Sequence, residues 1–110
     1  MVTRSPKRER PSLEEILRVL RARLPELRER YAVKSLAVFG SYVRGHQRKR
    51  SDVDVLVEFE EDPRPRITLF EYVGLQDYLS DLLSVKVDLV MKSGLKPRIG
   101  ERILAEAVPV

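Results

Sequence analysis

Two short apolar runs, each joined to a polar pair, constrain the fold of this chain more than any other feature. The run Leu36–Phe39 ends at Gly40-Ser41, and after ten further residues Asp52 and Asp54 open a second, valine-rich run. Side chains alternate between the two faces of an extended strand, so the two aspartates lie on one side, about 7 Å apart, while the valines face a core. The pattern therefore predicts two strands that present a pair of carboxylates beside a Gly-Ser turn.

A third aspartate lies in another segment with strand character. Asp88 interrupts the mostly β-branched run Val85–Val90, and an aspartate in such a strand is costly unless it is paired or binds a metal. Adjacent carboxylates attract hard cations such as Mg²⁺, which proteins hold through one or two carboxylates and the phosphates of the substrate. If the strand of Asp88 lies beside that of Asp52 and Asp54, the three carboxylates can hold two Mg²⁺ ions roughly 3.5–4 Å apart. We therefore predict that Asp52, Asp54 and Asp88 are metal ligands and catalytic residues.

The Gly-Ser turn predicts where phosphate groups would bind. Gly40 permits a tight exit from the first strand, and a short helix beginning at Ser41 would direct unpaired N–H groups at an anion. Arg44 follows one helical turn later and would either neutralise phosphate charge or only pair with a surface carboxylate. A phosphate cradle facing a pair of carboxylates predicts nucleotidyl transfer, in which Gly40, Ser41 and Arg44 bind the β- and γ-phosphates of ATP.

These segments resemble a known family. The residues from Gly40 to Gly45, from Ser51 to Val57 and from Val87 to Val90 are similar to the minimal nucleotidyltransferases of the DNA polymerase β superfamily. The resemblance covers nearly the whole chain after Leu13. It implies an α/β (α+β) fold in which a small mixed β-sheet has helices packed on one face and the three aspartates on the other. The loop 46–50 is more basic than is usual in the family, and would either attract a triphosphate or simply be solvated.

The resemblance also implies a biochemical role. Small members of this family are commonly antitoxins that silence a HEPN-domain ribonuclease toxin by transferring AMP from ATP to a toxin tyrosine. The chain is therefore expected to be a Mg²⁺-dependent protein adenylyltransferase that forms a hetero-oligomer with such a toxin. Two alternatives stay open. One is a protein of the same fold that silences its partner by binding alone, and the other is an adenylyltransferase with a small-molecule acceptor, although such enzymes usually carry an additional domain.

Length and composition set further bounds. With 110 residues the chain is one small domain, and we expect a flexible basic arm at residues 1–11 followed by the nucleotidyltransferase domain at residues 12–110. The lack of cysteine excludes disulfides and thiolate sites, and the lack of a long apolar stretch predicts a cytoplasmic protein without a membrane span. The first fifty residues carry a net charge of +9 and the remainder −5. The basic segments lack interleaved aromatic residues, so nucleic acid is not a predicted partner.

Helix signals cover much of the remaining sequence. Ser12 and Thr68 each begin a capping box with a glutamate three residues later, which predicts helices that start at these positions. Pro25 lacks a backbone N–H and is expected to kink the first helix or to restart it as a short turn to about Arg30. Pro97 is expected at the start of a last helix. The helix after Thr68 is predicted to bury a face formed by Leu69, Tyr72, Val73, Gln76, Leu79, Leu82 and Leu83.

Overall fold

A computed structural model describes residues 11–45, 52–62 and 66–110 of the chain. The basic arm, apart from Pro11, and the basic loop 46–50 lie outside the described residues. The elements are α1 (Leu13–Tyr31), β1 (Val33–Phe39), α2 (Ser41–Arg44), β2 (Val53–Phe59), α3 (Leu69–Leu83), β3 (Val87–Met91), a 3-10 turn (Lys92–Gly94), α4 (Pro97–Glu106) and β4 (Val108–Pro109). Within the described ranges, no helix is both long enough and apolar enough to cross a membrane.

The four strands form one mixed sheet in the order β3-β2-β1-β4. Strand β1 lies in the centre and pairs antiparallel with β2 and β4, whereas β2 and β3 pair in parallel. Parallel neighbours need a crossover connection, and α3 supplies it. The predicted mixed sheet is confirmed, but β4 was not predicted, because two residues are too few to show a period.

The core lies between the sheet and helices α1 and α3. The valines of β2 alternate as predicted, since Val53, Val55 and Val57 are fully buried while Asp54 between them is only partly buried. Helices α1 and α3 contribute their buried leucines and one isoleucine to the same cluster. The members from the two helices are Ile16, Leu20, Leu27, Leu75, Leu79 and Leu83. The aspartate of β2 is therefore turned away from the helical layer, which leaves its carboxylate accessible for chemistry.

Both capping boxes are present. The Glu15 N–H donates to Ser12 Oγ at 3.1 Å while the Ser12 N–H donates to the Glu15 carboxylate at 2.8 Å, and Thr68 is capped by Glu71 in the same way. The expectation that the helix restarts at Pro25 is wrong, because α1 runs without a break from Leu13 to Tyr31. A proline inside a helix costs roughly 3 kcal/mol. Here Leu20 and Leu27 are fully buried on either side of the proline, and their burial offsets that cost.

The buried face of α3 differs from the predicted one. Leu69 and Val73 are 76% and 44% exposed, and Leu75 takes a fully buried position instead. Polar contacts with β3 explain the rotation: Gln76 Oε1 accepts a hydrogen bond from the Leu89 N–H at 2.9 Å, and the Tyr72 hydroxyl donates to the Leu89 carbonyl. These bonds satisfy backbone groups at the edge of the sheet, and a search for apolar periodicity cannot detect them.

Candidate active site

Parallel pairing of β2 with β3 brings two of the three aspartates side by side. Asp54 is the direct register partner of Asp88, one position after the pairing of Val53 with Val87. Asp52 lies just before β2, two residues from Asp54, and is partly buried, whereas Asp88 is exposed at the edge of the sheet. The sequence predicted that the three carboxylates converge if their two strands are neighbours, and the structure shows that these strands are neighbours.

The pKa of Asp54 is raised by burial and by the negative charges of its neighbours. Partial burial raises the pKa of Asp54 from 3.8 to about 6, with further increases from the negative charges of Asp88 and Asp52, and Arg44 opposes the shift. Neighbouring carboxylates destabilise each other's charged forms, so the cluster favours either a bound proton or a bound cation. At neutral pH Asp54 is mostly ionised and available to a cation.

The raised pKa of Asp54 predicts how the stability of the free protein depends on pH. The folded state holds this proton more tightly than the unfolded state, so the stabilisation due to protonation is present at low pH and is lost between about pH 4 and 6. We expect the free energy of unfolding of the wild type, measured against that of Asp54→Asn, to fall across this range and to level off above it. Urea denaturation at several pH values, without divalent cations, measures the difference. A difference that does not vary with pH contradicts the assignment.

The donor set fits a hard cation, although it is not pre-assembled. Across residues 11–45, 52–62 and 66–110, no three His, Cys, Asp or Glu side chains already surround a common point as a metal site would require. Ionised carboxylates repel each other, so they draw together only around a cation. Oxygen donors from Asp52, Asp54 and Asp88 are the ligands that Mg²⁺ prefers, and Asp54 is the register partner of Asp88 and lies two residues after Asp52.

The Gly-Ser turn packs directly against Asp54. Gly40 has φ +84° and ψ −152°, and a Cβ atom placed on it would overlap Asp54 Oδ2 and lie 3.3 Å from Asp54 Cβ. Glycine is required there for two reasons, since L-residues rarely adopt this φ and the carboxylate occupies the space of a side chain. Helix α2 begins at Ser41 as predicted, with the Arg44 N–H donating to the Gly40 carbonyl at 3.1 Å. The Gly-Ser turn therefore lies in direct contact with the Asp54 carboxylate.

Arg44 pairs with a carboxylate that the sequence did not identify. Its Nη1 atom lies 2.9 Å from Glu106 Oε1 and 3.1 Å from Oε2, and the Gly40 N–H donates to Glu106 Oε2 at 2.8 Å. Partial burial raises the pKa of Glu106, but the hydrogen bonds from Gly40 and Arg44 outweigh that effect and hold it below its usual range. The only signal in the sequence was the position of Glu106 one turn after Arg102, and nothing in it pointed to a turn 66 residues away.

A wide groove of about 860 Å³ lies elsewhere on the molecule. It is lined by the C-terminal ends of β2 and β3 and by the start of α3, including Phe59, Leu69 and Tyr72. Asp54, Asp88 and the Gly-Ser turn do not line it. Among the described residues, the carboxylate site is therefore separate from this groove.

Comparison with known proteins identifies the family. The family described as "Nucleotidyltransferase domain" matches residues 17–110. The chain belongs to this family. This nucleotidyltransferase is 50% identical over 99 residues to the protein adenylyltransferase MntA of Thermococcus cleftensis, a match that covers 90% of this chain and 96% of the relative. The shared activity class is nucleotidyl transfer.

Solved structures give the same assignment. A candidate minimal nucleotidyltransferase superposes with a TM-score of 0.72 at 41% identity, covering 91% of this nucleotidyltransferase and 97% of that chain. The MNT antitoxin of Shewanella oneidensis, in complex with a tri-AMPylated HEPN toxin, superposes with a TM-score of 0.54 at 19% identity, covering 87% and 66%. At that identity the second likeness shows the fold alone.

Proposed function

We propose that this nucleotidyltransferase transfers AMP from ATP to a tyrosine hydroxyl of a helical HEPN-domain protein and acts as the antitoxin of that partner. The observation that carries the proposal is the register pairing of Asp54 with Asp88 beside the Gly40 turn. It puts carboxylates, a backbone turn and a cationic side chain at one edge of the sheet. A relative at 50% identity is named a protein adenylyltransferase, which supports a protein as the acceptor.

We assign the three aspartates as the ligands of the Mg²⁺ ions. Asp54 is the register partner of Asp88 and lies two residues after Asp52, and the three carboxylates would hold two Mg²⁺ ions, with Asp88 holding the one that activates the acceptor hydroxyl. When bound, such ions neutralise charge that develops on the transferred phosphoryl group and lower the pKa of the attacking hydroxyl. Without a cation, partial burial and the negative charges of Asp88 and Asp52 together raise the pKa of Asp54.

The phosphate side of the site consists of the Gly-Ser turn and Arg44. The Ser41 hydroxyl makes no hydrogen bond to any other described residue, and the side chain of Arg44 is 53% exposed. We assign these two groups, with the backbone of the turn other than the Gly40 N–H, which donates to Glu106, to the β- and γ-phosphates. Guanidinium groups suit phosphate oxygens because their donors are arranged as a planar fork. Positive charge there stabilises pyrophosphate as it departs.

The proposed reaction is an in-line displacement. The acceptor oxygen forms a bond to the α-phosphorus, the bond between that phosphorus and the oxygen bridging to the β-phosphate breaks, and pyrophosphate leaves. The hydroxyl proton passes to water. Asp88 is exposed at the edge of the sheet, so it is accessible to a tyrosine carried by a second folded protein. An open site of this kind suits a macromolecular acceptor better than a small one, because small ligands are usually bound in concave pockets.

The proposal is tested with a helical HEPN-domain protein as the acceptor. We expect that incubation of the two proteins with ATP and Mg²⁺ adds one or more AMP groups to the partner, detected by intact-mass spectrometry and mapped by fragmentation to tyrosine. Replacing the mapped tyrosine by phenylalanine should remove the addition at that site and leave the complex intact. Addition of AMP to neither protein, together with full silencing of the partner, would instead favour silencing by binding alone.

A further inference from the structure

The carboxylate of Glu106 joins two groups that belong to the phosphate side of the site. Its Oε2 atom accepts from the Gly40 N–H at 2.8 Å and from Arg44 Nη1 at 3.1 Å, and its Oε1 atom accepts from Arg44 Nη1 at 2.9 Å. The Glu106 side chain is only 25% exposed, whereas that of Arg44 is 53% exposed. Glu106 is thus the more buried residue of this pair, and Arg44 is the more exposed one.

The backbone at Glu106 is held in place by the sheet. Glu106 is the last residue of α4, and two residues later Val108 pairs with Val38 of β1, the same strand that ends at the Gly40 turn. The Val110 N–H adds a hydrogen bond of 2.9 Å to the Leu36 carbonyl. Because the chain on the C-terminal side of Glu106 is fixed to β1, the position of Glu106 relative to Gly40 is a built feature of the fold.

The contact uses only part of the guanidinium. Among the described residues, Glu106 bonds only the Nη1 atom of Arg44, so Nη2 and Nε are not used by this carboxylate. A guanidinium carries five N–H donors in a fixed fork, and holding one nitrogen orients the others. Glu106 therefore orients the Arg44 guanidinium and leaves its Nη2 and Nε donors available to an anion.

A small cavity lies next to this pair. It has a volume of about 140 Å³ and is lined by Arg44, Arg102 and Glu106 together with two isoleucines of α4. The residues that line it carry two guanidinium groups and one carboxylate, a net charge of +1. An anion that binds there would meet a guanidinium that is already oriented.

We propose that Glu106 is a positioning residue of the nucleotide site: by bonding the Gly40 amide and Arg44 Nη1 together, it fixes the Gly-Ser turn and aims the remaining guanidinium donors at the β- and γ-phosphates of ATP. This inference rests on the proposed function, in which Arg44 binds those phosphates. The rival role is competition, in which Glu106 occupies the place of a phosphate and must leave before ATP binds. The two roles predict opposite effects on affinity.

The test is equilibrium binding of ATP and of AMP, each with Mg²⁺, to the wild type and to Glu106→Gln, by isothermal titration calorimetry. Glutamine keeps an acceptor for the Gly40 N–H but removes the charge that holds Arg44. We expect the dissociation constant for ATP to rise by about five- to tenfold, because charge-assisted hydrogen bonds orient the arginine, while that for AMP is unchanged. AMP lacks the phosphates that Arg44 would contact. Glu101→Gln, an exposed glutamate of the same helix, is the matched control and should bind both nucleotides like the wild type.

A double-mutant cycle identifies the route by which Glu106 acts. In the background of Arg44→Ala, the change Glu106→Gln should alter ATP affinity by less than about twofold, because there is no longer a guanidinium to position. Tighter ATP binding by Glu106→Gln would overturn the inference in favour of competition. An equal loss for ATP and AMP would overturn it in favour of a purely structural role, as would unchanged ATP binding. A wild type that does not bind ATP at all would overturn the proposed function itself.

Discussion

Replacing Asp54 by asparagine is expected to reduce AMP transfer by at least about 10³-fold, which corresponds to roughly 4 kcal/mol of lost transition-state stabilisation. Asp54 pairs in register with Asp88 and lies two residues after Asp52, so of the three carboxylates it is the one adjacent to both of the others. The measurement is the initial rate of label transfer from ATP to the partner protein.

Loss of activity in Asp54→Asn should not come from unfolding. A raised pKa means that the ionised carboxylate opposes the folded state at neutral pH, so the variant without bound cation should be at least as stable as the wild type. Asp77→Asn, which changes an exposed carboxylate of α3, is the matched control and should retain full activity. Transfer by Asp54→Asn at the wild-type rate would remove Asp54 from the catalytic site.

Replacing Gly40 by alanine is expected to have the largest effect on stability among single changes at the site. The new Cβ would overlap Asp54 Oδ2, and the alanine would have to adopt φ +84°. The variant must therefore displace Asp54 or shift the turn. We expect a loss of about 2–4 kcal/mol in the free energy of unfolding, and a loss of transfer activity of at least about 10²-fold from the displaced carboxylate. Urea denaturation and the transfer assay measure the two effects.

Two other glycines separate the causes of that loss. Gly45 has φ +75° with open space where a Cβ would lie, so Gly45→Ala measures the backbone strain alone, about 1 kcal/mol. Gly74 lies within α3, also with open space, so Gly74→Ala should be stabilising by up to about 1 kcal/mol. In the background of Asp54→Ala, Gly40→Ala should cost less than in the wild type but more than Gly45→Ala, because φ +84° with ψ −152° is adopted almost only by glycine, whereas Gly45 has the milder left-handed conformation. A cost that stays as large as in the wild type would show that Asp54 is not what the new methyl group meets.

The parts of the fold that the sequence predicted are those encoded by local pattern. Alternation along β2 predicted that Val53 and Val55 are buried while Asp54 is not, and the structure confirms it. Capping boxes predicted the starts of α1 and α3, because each box is complete within four residues. The helix that begins at Ser41 was predicted in the same way, from a glycine that permits a sharp turn.

The parts that could not be predicted depend on contacts between distant segments. Pro25 remains inside α1 because leucines on both sides of it are buried against other elements, which local propensity does not register. Strand β4 has only two residues, and its pairing partner is β1, about seventy residues earlier. Glu106 reaches Gly40 and Arg44 only because β4 returns to β1, so its contribution to the site follows from topology and not from any motif.

The position of a label in ATP decides whether the carboxylate edge of this sheet catalyses transfer of AMP. The chain and its helical partner are incubated with Mg²⁺ and ATP labelled either at the α-phosphate or at the γ-phosphate, with wild type and Asp54→Asn compared. We expect that only the α-label becomes covalently attached to the partner, that pyrophosphate is released in equal amount, and that both signals vanish in Asp54→Asn. Attachment of the γ-label, or attachment of the α-label that is equal in the two proteins, would contradict it.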